Sequence, residues 1–370
     1  MRFQGVCPLI IKEFLAVWQD RKSRLILILP PIIQLFIFAF AATLDVTNIS
    51  LSVLNRDQGK ESYELVQRFR GAPYFKRIKY LNSVSQIKDE IDNQKSMMVI
   101  HIDDQFSKDL LSGKKAKLQI ILDGRKSNSS QIIQGYAAKI IQQYNDDLAK
   151  RMNFPTASSV VISRNWFNPN VIFTWFTVPG LLAILTMFTS LLVTSLSVAR
   201  EREMGTFDQL LVSPLRPIDI LIGKTIPGVV IGMIEGSVVL AFAVFIFKIP
   251  FTGSLISFYL AMFVFICSIV GIGLFLSSLC KTQQQALLAV YVFMSTSVIL
   301  SGFATPIDNM PLWLQKVTVV NPLRFFLVIT RGIFLKAMPL RFVLLNIYPV
   351  AICAIINLSV ANWFFKKRLE

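Results

Sequence analysis

The chain is poor in the residues that usually carry chemistry. Its one histidine, His101, lies in the apolar run MMVIHID, so a Cys/His cluster of zinc-binding spacing cannot form and no metal site is expected. His101 itself reads as a satisfied structural residue. The four cysteines, Cys7, Cys267, Cys280 and Cys353, fall in or beside apolar segments, and the long polar stretch from 45 to 164 contains none. That stretch must be held by a core and not by disulfides. Phosphate-cradling glycines are missing too. The string nearest to a G-x-x-x-x-G-K-[ST] loop, Gly223-Lys224-Thr225, has no upstream glycine to open the turn and begins an apolar run. ATP hydrolysis is therefore not expected of this chain. No nucleophile elbow accompanies the histidine, which argues against a hydrolase triad, and the SNSS run from Ser127 to Ser130 reads as a helix N-cap.

Charge is scarce as well. Only 16% of the 370 residues are charged, 54% are hydrophobic, and the mean hydropathy is +0.56. This excludes an ordinary soluble globular chain and fits a polytopic membrane protein. The net charge of +16 comes with no RNA- or DNA-binding motif, so the basic excess is assigned to orientation and lipid contact, not to nucleic acid.

What the chain does contain is a series of apolar runs near the roughly 20 residues that cross a bilayer. Six are read as transmembrane helices: 25–44, 171–198, 218–247, 255–279, 285–303 and 340–365. Residues 1–24 precede them as an amphipathic segment, with Leu9, Ile10, Phe14, Val17 and Trp18 on one side and Lys12, Glu13, Asp20, Arg21 and Lys22 on the other. This predicts a helix lying at the interface. The first run is too long and starts too late for a cleaved signal peptide and is read as retained. From 45 to 168 strand and helix signals alternate as four β-α pairs, predicting a compact α/β domain. The region 169–370 holds the remaining spans, and within it 304–338 is broken by Pro306, Pro311 and Pro322. Interrupted helices at membrane depth survive only where protein or water covers their freed backbone groups. The expected fold is thus an α-helical polytopic membrane protein of six transmembrane helices with an extracytoplasmic α/β domain inserted between helices 1 and 2. Basic residues at the N-terminus, between Arg200 and Arg216, at Lys281 and in the C-terminal KKR place both termini in the cytoplasm. Lys316, Arg324, Arg331, Lys336 and Arg341 fall on the outer side and depart from that rule.

Between the second and third runs lies the charged passage AREREMGTFDQLLVSPLRP. Met204, Phe207, Leu210, Leu211 and Leu215 recur at three- and four-residue spacing, as on one face of a short helix that Pro214 and Pro217 stop. From the residues alone, a helix anchored to lipid headgroups and a handle for a cytoplasmic partner both remain open. Glu235, between Gly232 and Gly236 in the middle of the third run, is a second point of interest. A carboxyl group at membrane depth marks a wet cavity, an inter-helix bond or a solute contact.

The run from Val178 to Gly228 resembles the membrane subunit of the ABC type-2 transporter family, in the multidrug-type bacterial exporters. Ala199, Arg200, Glu201, Arg202, Glu203, Gly205, Thr206, Leu210, Leu211, Val212 and Pro214 stand where that family has A-R-E-R-E-x-G-T-x-x-x-L-L-V-x-P. The stretch SKDLLSGKKAKLQIILDG is similar to the extracytoplasmic insertion of its multidrug-type members, and NPLRFFLVITRGIFLK to its outer re-entrant segment. The resemblance implies a non-enzymatic permease that exports lipophilic or amphipathic compounds across the inner membrane. ATP and Mg²⁺ would be bound by a separate ATP-binding subunit, with no cofactor on this chain. That subunit would engage a coupling helix (200–217) through Arg200, Glu201, Arg202, Glu203, Met204, Gly205, Thr206, Phe207, Leu210, Leu211 and Pro214. A second permease copy, identical or related, would complete the path. Glu235, Phe173, Trp175 and Phe176 are its candidate transport-path residues, and Pro306, Pro311, Asn321 and Pro322 its candidate outer gate. Two rival readings use the same residues: a membrane-anchored sensor with an external ligand-binding domain, and an ion-coupled transporter working through Glu235.

Overall fold

The computed structural model describes residues 6–19, 21–41, 46, 48–152, 166–168, 172–206 and 216–369. It divides into two compact units, one formed by Met1–Ala42 with Asn165–Glu370 and the other by Thr43–Arg164.

The first unit opens with helix α1 (Val6–Gln19) and helix α2 (Arg21–Ala41). The periodicity placed Glu13 on the water-facing side of α1. Instead Glu13 is buried together with Leu9, because its carboxylate has a cationic partner on a distant helix. The apolar part of α2 is the short stretch Leu27–Phe40, and Pro30 and Pro31 lie inside the helix.

The second unit alternates strands and helices: β1 (Ile49–Asn55), α3 (Lys60–Gly71), β2 (Phe75–Tyr80), α4 (Ser85–Asp92), β3 (Met98–Ile102), α5 (Phe106–Leu111), β4 (Leu118–Leu122) and α6 (Ser127–Arg151). The sheet order is β2-β1-β3-β4. β1 runs parallel to both its neighbours and β4 antiparallel to β3. Period-two alternation sends Ile49, Leu51 and Val53 of β1 to one face, against Leu65, Val66 and Phe69 of α3 and Ile133, Ala137 and Tyr144 of α6. Leu54 and Val99 face the other side with Leu81 and Ile87. Having no disulfide among the described residues, the unit rests on this two-sided core.

Two carboxylates stitch its surface. Glu90 accepts from Lys79 Nζ at 2.6 Å and from the Ser96 hydroxyl at 3.1 Å, and Glu64 accepts from Arg151 and Arg68. The Lys79 bond holds the Glu90 carboxyl below the ordinary glutamate value of 4.5 despite burial, and the Arg151 bond does the same for Glu64. A carboxylate whose pKa is depressed by folding stabilises the fold fully above its unfolded value and loses that contribution as pH falls through the folded one. Amide exchange of β1 and β3 in the full chain is therefore expected to accelerate as pH drops from about 5 to about 3, after correction for intrinsic exchange rates. The double variant Glu64→Gln with Glu90→Gln should flatten that dependence. An unchanged slope in the variant would remove these two groups as its cause.

The rest of the first unit is helical. α7 (Phe173–Glu203) is mostly buried; around it run α8 (Pro217–Ala241), which ends in a π-helical turn (Phe242–Ile246), and α9 (Leu255–Leu279). α10 (Gln283–Ile299), α11 (Leu312–Val317), α12 (Pro322–Lys336) and α13 (Leu340–Leu369) follow. Four stretches among the described residues are long and apolar enough to cross a membrane: Phe173–Glu203, Pro217–Ile246, Leu255–Leu279 and Leu340–Phe364. A fifth arises if the bent pair Leu312–Val320 and Pro322–Lys336 is taken as one span; the two arms meet at 82°. Asn321 makes the corner. Its Oδ1 accepts from the Leu323 amide at 3.1 Å, its Nδ2 donates to the Ser297 carbonyl at 2.7 Å, and Pro322 starts α12 without needing an amide partner. The apolar core joins α7, α9 and α12, with Phe265 stacked on Phe326 at 4.2 Å between centroids.

Candidate functional site: a charge hub at the end of α7

The last turn of α7 reads Ala199-Arg200-Glu201-Arg202-Glu203, and successive helical residues point about 100° apart. Four consecutive charged side chains therefore reach in four directions, and between them they engage four other helices. Arg200 donates to the Ala16 carbonyl of α1 at 3.2 Å. Glu201 pairs with Lys12 of α1 at 2.5 Å and with Lys224 of α8 at 2.7 Å. Arg202 donates to the Ser278 and Cys280 carbonyls at 2.7 and 3.0 Å, closing the carbonyl end of α9 with a cation where the helix dipole favours one. Glu203 accepts from the Gln283 amide at 2.9 Å, at the amide end of α10 where an anion is favoured. One turn earlier, Ser277 of α9 accepts from the Ala199 amide and donates to the Ser195 carbonyl, entering the backbone ladder of α7 itself.

The residues that follow explain where the helix stops. The Gly205 amide donates to the Arg202 carbonyl at 3.1 Å and the Thr206 amide to the Glu201 carbonyl at 3.0 Å, the pair of bonds of a Schellman cap. Gly205 has φ +69°, the left-handed conformation that this cap requires and that a side chain disfavours. Met204 is 60% exposed. Phe207, Leu210, Leu211 and Pro214 lie outside the described residues.

Behind the hub sits a buried ionic cluster. Lys224 Nζ lies 2.8 Å from Glu13 Oε1, 2.7 Å from Glu201 Oε2 and 3.0 Å from the Ser197 hydroxyl, and its side chain has no solvent exposure. Ser197 in turn donates to Glu13 at 2.7 Å. Lys12 and Lys224 against Glu13 and Glu201 make a neutral set, the condition under which buried charge is tolerated. Burial alone would push the Glu13 carboxyl up, but the Lys224 ammonium, its hydrogen bond and that of Ser197 hold it below the ordinary range. A cavity of about 70 Å³ adjoins the cluster, lined by Leu27, Leu192, Arg200, Met204 and Pro227 among others. Close approach of α1 is permitted by Gly223: a Cβ there would stand 2.4 Å from the Leu9 side chain. Lys12, Glu13, Ser197 and Lys224 were not among the site residues expected from sequence. A lysine seven residues into an apolar helix was the available signal.

The family described as "ABC-2 family transporter protein" matches residues 21–361. The chain belongs to the ABC-2 transporter family. It is 43% identical over 367 residues to the "Probable multidrug ABC transporter permease YbhR" of Escherichia coli (strain K12), covering 99% of this chain and 100% of that one. Identity to the "Probable multidrug ABC transporter permease YbhS" of the same organism is 28%, over 100% of this chain and 99% of the relative. The "ABC transporter G family member 20" of Dictyostelium discoideum is 22% identical over 90% of this chain, which spans 46% of that longer protein.

In this ABC-2 chain the other residues singled out from sequence do not form one site. Phe173 and Trp175 are half-buried at the start of α7, and Phe176 is 41% exposed and carries the Arg331 guanidinium 3.8 Å above its ring centroid. Glu235 is buried on α8, whose contacts with α7 lie near Thr186, about 15 Å further along α7 than Phe176. Pro306 and Pro311 head two short helical turns. Asn321 and Pro322 line a largely apolar cavity of about 340 Å³, together with Phe275, Phe293, Val320 and Asn357. Among the described residues no group of three or more His, Cys, Asp or Glu side chains is placed to hold a metal ion.

Proposed function

We propose that the chain is the permease subunit of an ATP-driven exporter of lipophilic or amphipathic compounds. ATP and Mg²⁺ are bound by a separate subunit that docks on the Arg200 to Pro217 element, and two permease copies form the path. Six spans, with the runs 25–44 and 285–303 added to the longer helices, put both termini in the cytoplasm and the α/β unit outside. The observation that carries this reading is the hub: Arg200, Glu201, Arg202 and Glu203 hold α1, α8, α9 and α10 by separate bonds. A docked subunit that moves the end of α7 displaces four helices at once, and that supplies the two-state contact through which nucleotide binding biases the permease.

The test uses the full chain in detergent and in proteoliposomes. An ATP-binding subunit is expected to co-purify with it, and candidate lipophilic compounds to raise that subunit's ATPase rate. Joint replacement Glu203→Ala with Gly205→Val breaks the α10 anchor and strains the cap by about 1–2 kcal/mol. It is expected to abolish solute stimulation of ATPase while the protein still inserts. Uphill transport by the chain reconstituted alone, or a wild-type response in the variant, contradicts the proposal.

A further inference from the structure

The buried middle of the α7–α8 contact contains polar groups that have no hydrogen-bond partner among the described residues. Glu235 is 8% exposed, and its Oε1 has no hydrogen-bond partner. The hydroxyls of Thr186, Thr189 and Ser190, on residues at most 1% exposed, have none either. Glu235 and the hydroxyls of Thr186 and Ser190 lie at the same level of the contact. Gly232, Glu235 and Gly236 follow one another at helical spacing on one face of α8. A Cβ on Gly232 would fall 2.0 Å from the Ser190 hydroxyl oxygen, and one on Gly236 3.1 Å from that of Thr186. The α7 hydroxyls thus flank the position of Glu235 along the helix.

No cation of the described residues compensates this carboxyl group. Lys224, three turns away on the same helix, is committed to Glu13 and Glu201. Arg331 packs against Gly180, about 9 Å back along α7 from Thr186, with its guanidinium over the rings of Phe176 and Phe303. The burial comes from the chain's own helices, so a second copy has no access unless α7 and α8 part. The glycines let the two helices meet closely, so opening the site means undoing that contact. A carboxyl group and hydroxyl oxygens at membrane depth offer acceptors to whatever solute enters, and an unpaired carboxylate there is costly until a cation arrives.

We propose that Glu235, with the hydroxyls of Thr186 and Ser190, forms the recognition site for the cationic headgroup of the exported solute: a lipophilic ammonium, phosphonium or guanidinium compound. The proposal rests on the export-permease reading and adds the charge of the substrate. The site is closed in the packed arrangement and opens to the headgroup when α8 moves from α7. Lys224 joins that same helix to Glu201 at the end of α7, so the two helices part at the level of Glu235 by pivoting about this pair or by breaking it.

Two probes of the same shape and opposite charge provide the test, tetraphenylphosphonium and tetraphenylborate. Their binding to the full chain in nanodiscs is measured for the wild type, Glu235→Gln and Glu235→Asp. The wild type is expected to favour the phosphonium by about tenfold or more, Gln to lose that preference, and Asp to keep most of it. A Thr186→Val with Ser190→Ala double variant, which keeps the carboxylate, should lower phosphonium affinity by a smaller factor. Equal binding of the two probes by the wild type, or an unaltered preference in Glu235→Gln, overturns the proposal. Displacement of the phosphonium by sodium at equal concentration also overturns it, by assigning the site to an inorganic ion. If the ATP-binding subunit co-purifies in all variants while the probes fail to discriminate, the permease reading stands and only the substrate charge is wrong.

Discussion

Replacing Lys224 by methionine is expected to be the most damaging single change in the membrane unit. The side chain has no exposure and neutralises Glu13 and Glu201 together. Methionine fills similar volume but leaves the four-charge set with one excess buried anion. Stranding a buried charge in this way costs about 3–5 kcal/mol. The detergent-solubilised variant should unfold at a lower temperature than the wild type, α1 should become accessible to protease, and transport should be lost. Adding Glu13→Gln restores neutrality and is expected to recover most of the thermal stability. If the double variant is no more stable than Lys224→Met alone, charge balance is not what holds α1.

The second large effect is expected at Arg202. Alanine there removes two bonds at the carbonyl end of α9 and leaves the Ser277 bonds to the α7 backbone, so motion of the end of α7 passes to α9 less completely. Coupling energies between sites run to about 1–3 kcal/mol, so solute-stimulated ATPase activity should fall about 5- to 150-fold while the ATP-binding subunit still binds. Both bonds leave the one nitrogen Nη1; lysine keeps the charge but not the fixed guanidinium geometry, so Arg202→Lys should recover only part of the stimulation. Full stimulation in Arg202→Ala would show that the Arg202 bonds carry none of the signal.

How far the sequence could be read depended on the range of the interaction. Strands and helices alternate in the α/β unit in the predicted order, since such signals are local and need no knowledge of the partner. The proline-broken segment was legible as an interruption, although the 82° corner at Asn321 depends on a bond to the Ser297 carbonyl of α10. The hub was legible as a motif but not as a set of bonds. Arg200 and Glu203 look solvated beside each other in sequence, whereas their partners are the ends of helices up to 184 positions away. Glu13 was misplaced for the same reason: amphipathic periodicity treats every charge as seeking water, and it cannot register a lysine 211 positions on. Gly205 carries the opposite lesson. A residue that looked like part of a docking surface has a local task, ending α7.

The helices of the membrane unit differ in reach. At 1.5 Å per residue α9, with 25 residues, is about 37 Å long, whereas α10, with 17, is about 26 Å, less than a typical hydrocarbon layer of about 30 Å. If α10 crosses the bilayer as proposed, lipid around it must thin to meet it, while lipid along α9 must swell or let that helix lean. Acyl-chain length thus becomes a mechanical load on the protein, and vesicles of shorter-chain lipids should relieve the mismatch at α10 while increasing the lean of α9.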